Sequence, residues 1–543
     1  MKYCFLFLTS MLMLASCTEH PHAQLVVTGK IWTGDSTAAV AEAMAVSGDS
    51  ILAVGTQAEI QKWVGEKTEV VNALAGQLIV PGFIDTHTHF MEGGYQLTSV
   101  QLKDARTPAE FIHRIGQFAK TQPAGTWIVG GIWDNENWGG EMPTRDWIDS
   151  VTREHPVFVT RYDGHMSLAN SLALKAAGVT DRVADIDGGT IVRDRKGRLT
   201  GALKDNAADL VFKVIPANSV RQDDEALQAA MNYVASNGVT TIHNMSGGWE
   251  AFERAHEQGK LITRIYAGAP LYDWKVVAAK QKGDRWLRYG NLKAYMDGSL
   301  GSHTAAFFKA FTDAPRDSGF FLVPPEQIYQ QAKAADSAGL HLMIHAIGDK
   351  AIHTLLNIFE RIEKENGARD RRFRIEHTQH IHPNDIARLG PLGVIASMQP
   401  YHAIDDGRFA EKLIGHERCK TTYAFKSLMD AGARVAFGSD WFVAPPTPLE
   451  GIYAAVTRRT LDDKNPDGWF PEQKITVLQA LDAYTNQGAY AAFEETWKGS
   501  LSRGKVADFV LLDQDITTLE PVQIRDVKVL GTWVGGRKVY SRQ

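Results

Sequence analysis

A pair of histidines with one residue between them follows an apolar segment near the start of the chain. His87 and His89 come directly after the run 78–85, which is apolar apart from its last residue. Residues two apart on a β-strand point to the same side, so both imidazoles can bind one cation. A His-x-His pair alone is common in proteins. The prediction of a metal site therefore depends on further ligands elsewhere in the chain.

Three later apolar segments also end in side chains that bind metals. His345, His377 and Asp440 each lie at, or just after, the end of such a segment. Each residue alone has a structural explanation, as a hydrogen-bonded core histidine or as an aspartate that caps the next helix. Four separate strand ends that supply imidazole or carboxylate to one place instead favour a metal centre.

A lysine within a fifth β-rich segment has two interpretations. The ammonium group of Lys293 repels cations, but its deprotonated amine can combine with CO₂ to form a carbamate whose two oxygens bridge two metals. The alternative is an ordinary lysine at a strand end that pairs with Asp297. From the residues alone the second interpretation is preferred.

The elements that position these residues alternate between strands and helices. Eight β-rich segments are predicted as strands, at 78–85, 240–244, 262–267, 292–296, 340–345, 373–377, 393–398 and 434–438. Helical patterns such as 325–338 and 351–365 lie between most pairs. This pattern predicts the α/β class and a (β/α)₈ TIM-like barrel over 79–495, with its chemistry at the carboxyl ends of the strands.

Two further units are predicted outside the barrel. The first two barrel strands are too far apart for a simple crossover, so residues from about 95 to 220 are predicted as an insertion with its own strands. Short β-rich segments at both ends of the chain, within 24–78 and 496–543, are expected to pair in one small β-sandwich.

The first 17 residues resemble a bacterial lipoprotein signal peptide. An early lysine and a short apolar run precede Leu14-Ala15-Ser16-Cys17, which is similar to a lipobox. Cleavage before Cys17 would leave this thiol to carry lipid, and acyl chains hold a protein firmly to a membrane. Of three cysteines only Cys419 lies outside this leader. We therefore expect export to the bacterial cell envelope and membrane attachment only through Cys17.

Composition and charge restrict the partners. The 543 residues have 44% hydrophobic and 22% charged content, which is typical of globular proteins. The net charge of −5 gives no electrostatic support for nucleic-acid binding. The expected partner is a small-molecule substrate, and a homodimer is possible.

Four motifs together resemble the metal-dependent amidohydrolase superfamily, in its amidohydrolase-3 (YtcJ-like) branch. They are VPGFIDTHTH at 80–89, LKAYMDGSLGS at 292–302, RYDGHMSLAN at 161–170 and GSD at 438–440, with His345 and His377 between them. The resemblance covers the chain from about residue 25 to its end. It implies a distorted barrel beside a β-sandwich, in agreement with the strand pattern.

The resemblance also implies roles for the candidate residues. His87 and His89 resemble the ligands of the more buried metal, and carboxylated Lys293 resembles the bridge. His345 and His377 resemble ligands of a second metal. Asp440 resembles both a ligand and the general acid/base.

Other candidate residues depart from the family pattern or have a structural alternative. His303 stands where relatives often have arginine, and Lys204 is a weaker candidate for the bridge because it falls in the insertion. His165 is predicted to contact the substrate or an oxyanion, with a hydrogen-bonded structural histidine as the alternative. Three aromatic residues of the insertion are candidates for a pocket wall or for ordinary packing, namely Trp133, Trp138 and Tyr162.

These residues predict a hydrolase of carbon–nitrogen bonds. One or two divalent cations lower the pKa of water and polarise a carbonyl, while Asp440 moves the proton from water to the leaving nitrogen. Zinc suits the imidazole-rich ligand set. Two alternatives remain open: an esterase or lactonase with the same site, and a lipid-anchored binding protein on a retired hydrolase fold.

Overall fold

The computed structural model describes residues 22–161, 165–184, 186–245, 247–280 and 282–543. The predicted signal peptide and Cys17 lie outside these residues, as does Tyr162. Among the described residues, no helix has the length and apolar character needed to cross a membrane.

Eight parallel strands form the barrel, which confirms the predicted fold class. In chain order they are β1 (Phe83–Thr88), β2 (Val239–Asn244), β3 (Arg264–Pro270), β4 (Leu287–Tyr295), β5 (His341–Ala346), β6 (Arg374–His377), β7 (Ile395–Met398) and β8 (Arg434–Phe437). Each strand pairs with the next one along the chain. A bridge between Thr88 and Trp441 joins the end of β1 to the segment after β8.

The predicted strand 78–85 is wrong in one respect, because it is two strands. Residues Leu78–Pro81 pair with Phe509–Leu512 near the C-terminus, and β1 begins only at Phe83. The backbone N–H of Gly82 donates to Asp508 O, whereas that of Phe83 donates to Gly238 O before β2. The chain therefore passes from the terminal sheet into the barrel at Gly82.

Strands from both termini form one eight-stranded sheet. Its members are Leu25–Trp32, Val40–Ser47, Ser50–Gly55, Glu69–Asn72, Leu78–Pro81, Phe509–Leu512, Val529–Val534 and Arg537–Ser541. Arg264 on β3 ties this sheet to the barrel through two hydrogen bonds to Asp508, of 2.7 and 3.0 Å. Both side chains are buried.

The insertion has a separate five-stranded sheet and its own apolar core. The strand order is Gly189–Arg193, Leu199–Asp205, Met166–Ala169, Val157–Arg161 and Ile128–Trp133, and only the last pair is parallel. Trp133 is fully buried in this core, and Trp138 packs against it on Phe111, which agrees with ordinary packing for both residues. The insertion is therefore a second layer beside the barrel.

Helices connect these strands. Those of the barrel are Phe90–Thr98, Val220–Ser236, Trp249–Glu257, Trp274–Ala279, Pro325–Ser337, Asp349–Asn366, Pro383–Leu389, Pro400–Asp406, Ala410–Ile414, His416–Cys419, Phe425–Asp430, Pro448–Thr457, Val477–Ala483 and Asn486–Tyr490. Others are Gln57–Ile60 near the N-terminus and, in the insertion, Pro108–Thr121, Arg145–Ile148, Ser171–Ala176 and Asp209–Phe212. Short 3₁₀ helices occur at Gln61–Trp63, Asn135–Trp138, Asp149–Val151, Asn206–Ala208, Leu271–Asp273, Pro471–Gln473 and Pro521–Asp526.

Candidate metal centre

The carboxyl ends of the barrel strands, called the rim below, bring the predicted ligands together. One ligand atom each from His87, His377 and Asp440 lies within 4.8 Å of the others. His89 Nε2 and His87 Nε2 are both 3.3 Å from Asp440 Oδ1. The rings of His345 and His377 have their centroids 4.5 Å apart. Four strand ends thus supply side chains to one cluster.

Unusual backbone conformations place two of these ligands. His377 (φ 73°) and Asp440 (φ 62°) both adopt the left-handed region, which is uncommon for residues other than glycine. At the end of β6 this conformation breaks the alternation of the strand, so that Glu376 and His377 both face His87. The left-handed turn after β8 follows Gly438, where an added Cβ would lie 2.6 Å from the backbone nitrogen of His87.

The hydrogen bonds of the histidines leave one nitrogen of each free for a cation. His87 Nδ1 lies 2.6 Å from Glu376 Oε2, so Nδ1 donates and the lone pair of Nε2 faces Asp440. His345 Nε2 donates to Gly298 O at 3.0 Å, which leaves its Nδ1. His377 Nδ1 is buried without a hydrogen-bond partner among the described residues. One ring nitrogen of His377 lies within 4.8 Å of ligand atoms of His87 and Asp440, and this set of two imidazoles and one carboxylate fits a divalent cation.

Lys293 lies beside this cluster. Its Nζ is 3.2 Å from His87 Nε2, and burial lowers its pKa to about 8, against the opposing effect of Glu376 and Asp440. Asp297, the partner in the alternative interpretation, instead accepts hydrogen bonds from the backbone of Ala306, Ile347 and Gly348. The lowered pKa raises the share of neutral amine near pH 8 compared with an ordinary lysine.

The carboxylate of Asp440 is held ionised. Burial alone would raise its pKa, but the neighbouring His87, the hydrogen bond to His89 and the neighbouring His377 hold the pKa of Asp440 well below its ordinary value. Burial and the neighbouring Lys293 lower the pKa of His345 to about 4. Burial also lowers the pKa of His87 and that of His377 well below the ordinary value. These three imidazoles are therefore neutral beside the carboxylate, the protonation states that bind a divalent cation.

Sequence reasoning missed the residues that support the ligands. Glu376 orients His87 and is itself 2.8 Å from Arg374 Nη2. Arg374 also donates to the carbonyl of Thr86 and to His243 Nδ1. Arg374 and Glu376 alternate along a fully buried strand, and this was the available signal, since charged residues in such positions need partners.

His402 was also missed. It lies in the helix Pro400–Asp406 after β7, with its ring parallel to that of His377 at 6.3 Å and 6°. It follows a strand that supplies none of the predicted ligands, so no pattern of strand ends indicated it.

The remaining predicted residues lie away from this cluster. His165 is 77% exposed on the insertion, with its Nδ1 2.9 Å from Asp205 Oδ1. Lys204 lies on the insertion strand Leu199–Asp205 and pairs across the sheet with Met166 and Thr190. His303 pairs with Asp313 at 3.0 Å. A substrate contact by His165 stays a prediction.

Comparison with known proteins identifies the family. A model described as "Amidohydrolase family" matches residues 69–540. The chain belongs to the amidohydrolase family. The match confirms the resemblance of the motifs to the amidohydrolase-3 branch, and it includes all six predicted ligands.

Three relatives of this amidohydrolase align over nearly its whole length. Protein LONG AFTER FAR-RED 3 of Arabidopsis thaliana is 40% identical, over 95% of this chain and 91% of its own. Putative amidohydrolase YtcJ of Bacillus subtilis is 28% identical, over 94% and 97%. N-substituted formamide deformylase of Arthrobacter pascens is 27% identical, over 95% and 98%.

A solved structure supports the same assignment. An uncharacterized metal-dependent hydrolase from Pyrococcus furiosus superposes with a TM-score of 0.77 at 26% identity, covering 92% of this chain and 99% of its own. The amidohydrolase is therefore a metal-dependent hydrolase, as predicted.

Proposed function

We propose that this amidohydrolase hydrolyses a carbon–nitrogen bond, other than a peptide bond, in a small amide, N-acyl or cyclic amide compound. The observation that carries the proposal is the convergence of His87, His377 and Asp440 within 4.8 Å at the rim. When bound there, a divalent cation lowers the pKa of water towards about 7 and polarises the substrate carbonyl. Zinc is the proposed metal because the donors are mainly imidazoles.

Asp440 is proposed as the general acid/base. It is buried and 3.3 Å from two imidazoles, which hold it in one place, and it is deprotonated, as a general base must be before it accepts a proton. It takes the proton from the attacking water and returns one to the leaving nitrogen, as general acid–base catalysis requires. Glu376 supports this step by fixing the tautomer of His87.

We propose that two cations share the site, with carboxylated Lys293 between them. His87 and His89 would hold one cation, His345 and His377 the other, and Asp440 would contribute to the first. The distance of 3.2 Å between Lys293 Nζ and His87 Nε2 supports this bridge over one from Lys204, on the insertion sheet. The carbamate forms when the neutral amine attacks CO₂ and loses a proton.

Labelled bicarbonate tests the bridge. Protein prepared in ¹³C-bicarbonate should give one carbamate signal by NMR, which should be lost in Lys293→Ala and retained in Lys204→Ala. A signal that disappears only in Lys204→Ala would reverse the assignment. No signal in the metal-loaded wild type would remove the carbamate.

An amide and ester panel tests the function. The metal-loaded protein should hydrolyse at least one compound among N-formyl amines, N-acetyl amines and lactams, and Asp440→Asn should lose this turnover while its melting temperature stays close to that of the wild type. Turnover of aryl esters and lactones without any amide would favour the esterase. Binding without turnover by the wild type would favour the retired binding protein.

We also propose that the protein is exported and attached to the bacterial cell envelope through lipid on Cys17. The folded body begins close behind this cysteine, since the backbone N–H of Ala23 already donates to Trp63 O. The full chain should partition into a detergent phase when expressed in a bacterium, and Cys17→Ser should move it to the aqueous phase.

A further inference from the structure

A cleft runs between the barrel and the insertion and opens beside the metal centre. Its volume is about 620 Å³, and its walls come from the helix Phe90–Thr98, the strand Ile128–Trp133 and the segment around Phe212. Phe442 lines the cleft, two residues after Asp440, and its ring centroid is 6.2 Å from that of His89. The cleft therefore adjoins the proposed ligand cluster at Phe442, and it is far larger than a formyl or acetyl group requires.

Aromatic side chains form much of the cleft wall. They are Tyr95, Phe118, Trp127, Phe212 and Phe442. The hydroxyl of Tyr95 donates to Asp223 at 2.7 Å, and the Phe212 ring packs edge-on against Phe158 at 4.9 Å. These contacts hold two of the rings in place. A fixed wall of rings suits an apolar ligand, above all another ring.

Charge in the cleft has one sign. Glu92 and Glu225 line it, and no lysine, arginine or histidine is among its described lining residues. Glu225 is neutralised by Arg221 at 2.7 Å, whereas the structure gives Glu92 no ion-pair partner among the described residues. A ligand carboxylate in this cleft would thus meet the like charge of Glu92 and no unpaired cation among the described lining residues.

We propose that this cleft binds an apolar, preferentially aromatic substituent of the substrate that is neutral or positively charged, and that it rejects a carboxylate. The inference rests on the proposed amide hydrolysis at the adjoining rim. It narrows the substrate class to amides in which neither the amine part nor the acyl part carries a free carboxylate. N-acyl amino acids are therefore expected to be poor substrates.

Binding to the metal-free protein tests the cleft without turnover. The probes are 2-phenylethylamine, 2-phenylethanol and 3-phenylpropanoate, which differ mainly in charge, and the measurement is calorimetry. The amine and the alcohol should bind at least about tenfold more tightly than the carboxylate. Equal or tighter binding of 3-phenylpropanoate would overturn the proposal.

Two matched variants locate this binding. Phe212 and Phe308 are 50% and 51% exposed, but only Phe212 lines the cleft. Phe212→Ala should weaken the binding of 2-phenylethylamine about fivefold, because it removes apolar contact area, and Phe308→Ala should leave it unchanged. Equal weakening in both variants, or none in Phe212→Ala, would contradict the location.

Turnover separates this proposal from the proposed function. The metal-loaded wild type should hydrolyse N-acetyl-2-phenylethylamine with a kcat/KM at least about tenfold above that for N-acetylphenylalanine, and Phe212→Ala should lower the first value towards that for N-methylacetamide. Equal kcat/KM values for the two aromatic amides would overturn the proposed ligand preference of the cleft, while the proposed amide hydrolysis would stand. If no amide reacts while the probes bind as expected, the hydrolase fails and the ligand class of the cleft stands.

Discussion

The rim of the barrel and the inserted sheet both carry histidine, lysine and aspartate, but they hold these side chains in different ways. At the rim, Lys293, His377 and Asp440 are buried, and two of them have left-handed backbone conformations. On the insertion, His165 is 77% exposed and pairs with Asp205 of the neighbouring strand. The same residue types therefore form a buried cluster at the rim and lie at the solvent-exposed surface of the insertion.

This difference assigns separate tasks to the two regions. A buried cluster from several strands fixes distances and protonation states, which metal binding and proton transfer need. A sheet with its own core can change its surface without disturbing that cluster. We infer that the barrel performs the chemistry and that the insertion selects the substrate.

The largest expected effect is a difference in kcat between the same substitution at an aspartate of the rim and at an aspartate of the insertion. Asp440→Asn should lower kcat by about 10³-fold or more, because the amide cannot accept a proton from water. Asp205→Asn, the same change on the insertion, should leave kcat within about tenfold of the wild type. Steady-state kinetics with the metal content measured in each variant checks both. A similar loss in the two variants would erase the distinction between the regions.

A buried ion pair should matter more to stability than a pair on the insertion. Asp508→Ala leaves the guanidinium of Arg264 buried without its partner, and should lower the free energy of unfolding by about 3–5 kcal/mol. Asp194→Ala breaks the solvated pair with Arg198 and two hydrogen bonds from the backbone N–H groups of Lys196 and Arg198, and should cost clearly less. Denaturant titration of both variants gives the comparison. Equal costs would show that the junction between barrel and terminal sheet contributes no special stability.

Substitution of the glutamate that orients a metal ligand should weaken metal binding more than substitution of another buried glutamate. Glu376→Gln removes the charge that holds His87 and should weaken metal binding about 10- to 100-fold. Glu494→Gln, at the buried pair with Lys498, should change stability and leave metal affinity unaltered. Competition with a chelator measures both affinities. Unchanged affinity in Glu376→Gln would remove its proposed role.

The smallest effect is expected on the insertion. His165→Ala should reduce kcat/KM by no more than about tenfold and leave the metal content unchanged, because the imidazole contributes to substrate contact at most. His256 is a suitable control, since it also pairs with an aspartate (Asp284, 2.8 Å) at the surface, on a barrel helix. His256→Ala should have no effect on kcat/KM. Loss of metal from His165→Ala would place this residue in the metal centre.

Much of the fold could be predicted from alternation along the chain. Each of the eight predicted segments overlaps a barrel strand in the structure, with ends that differ by at most five residues. The division of 78–85 into two strands could not be predicted. It depends on the distant carbonyl groups to which the backbone N–H groups of Gly82 and Phe83 donate in the folded chain. Apolar patterns carry no information about such long-range pairing.

The strand ends predicted the ligand cluster, but they did not predict the residues that orient the ligands. His87, His377 and Asp440 were found because parallel strands bring their carboxyl ends to one rim. The contact of Glu376 with His87 joins two strands that are far apart in the sequence, and no local sequence rule indicates the left-handed turn that brings His377 to the same side as Glu376. The cleft was missed for a related reason, since Phe442 and Phe212 are far apart in sequence and meet only in the folded chain.

Metal content is the most direct test of the central claim that the rim holds the catalytic cations. Residues from about 20 onward would be purified without the lipid-bearing cysteine, reconstituted with zinc and bicarbonate, and analysed for bound elements. The account predicts about two cations per chain, falling to one or none in Lys293→Ala and unchanged in Lys204→Ala. About one cation per chain, unaffected by Lys293→Ala, would remove the bridge. No bound cation after reconstitution would contradict the metal-dependent hydrolase itself.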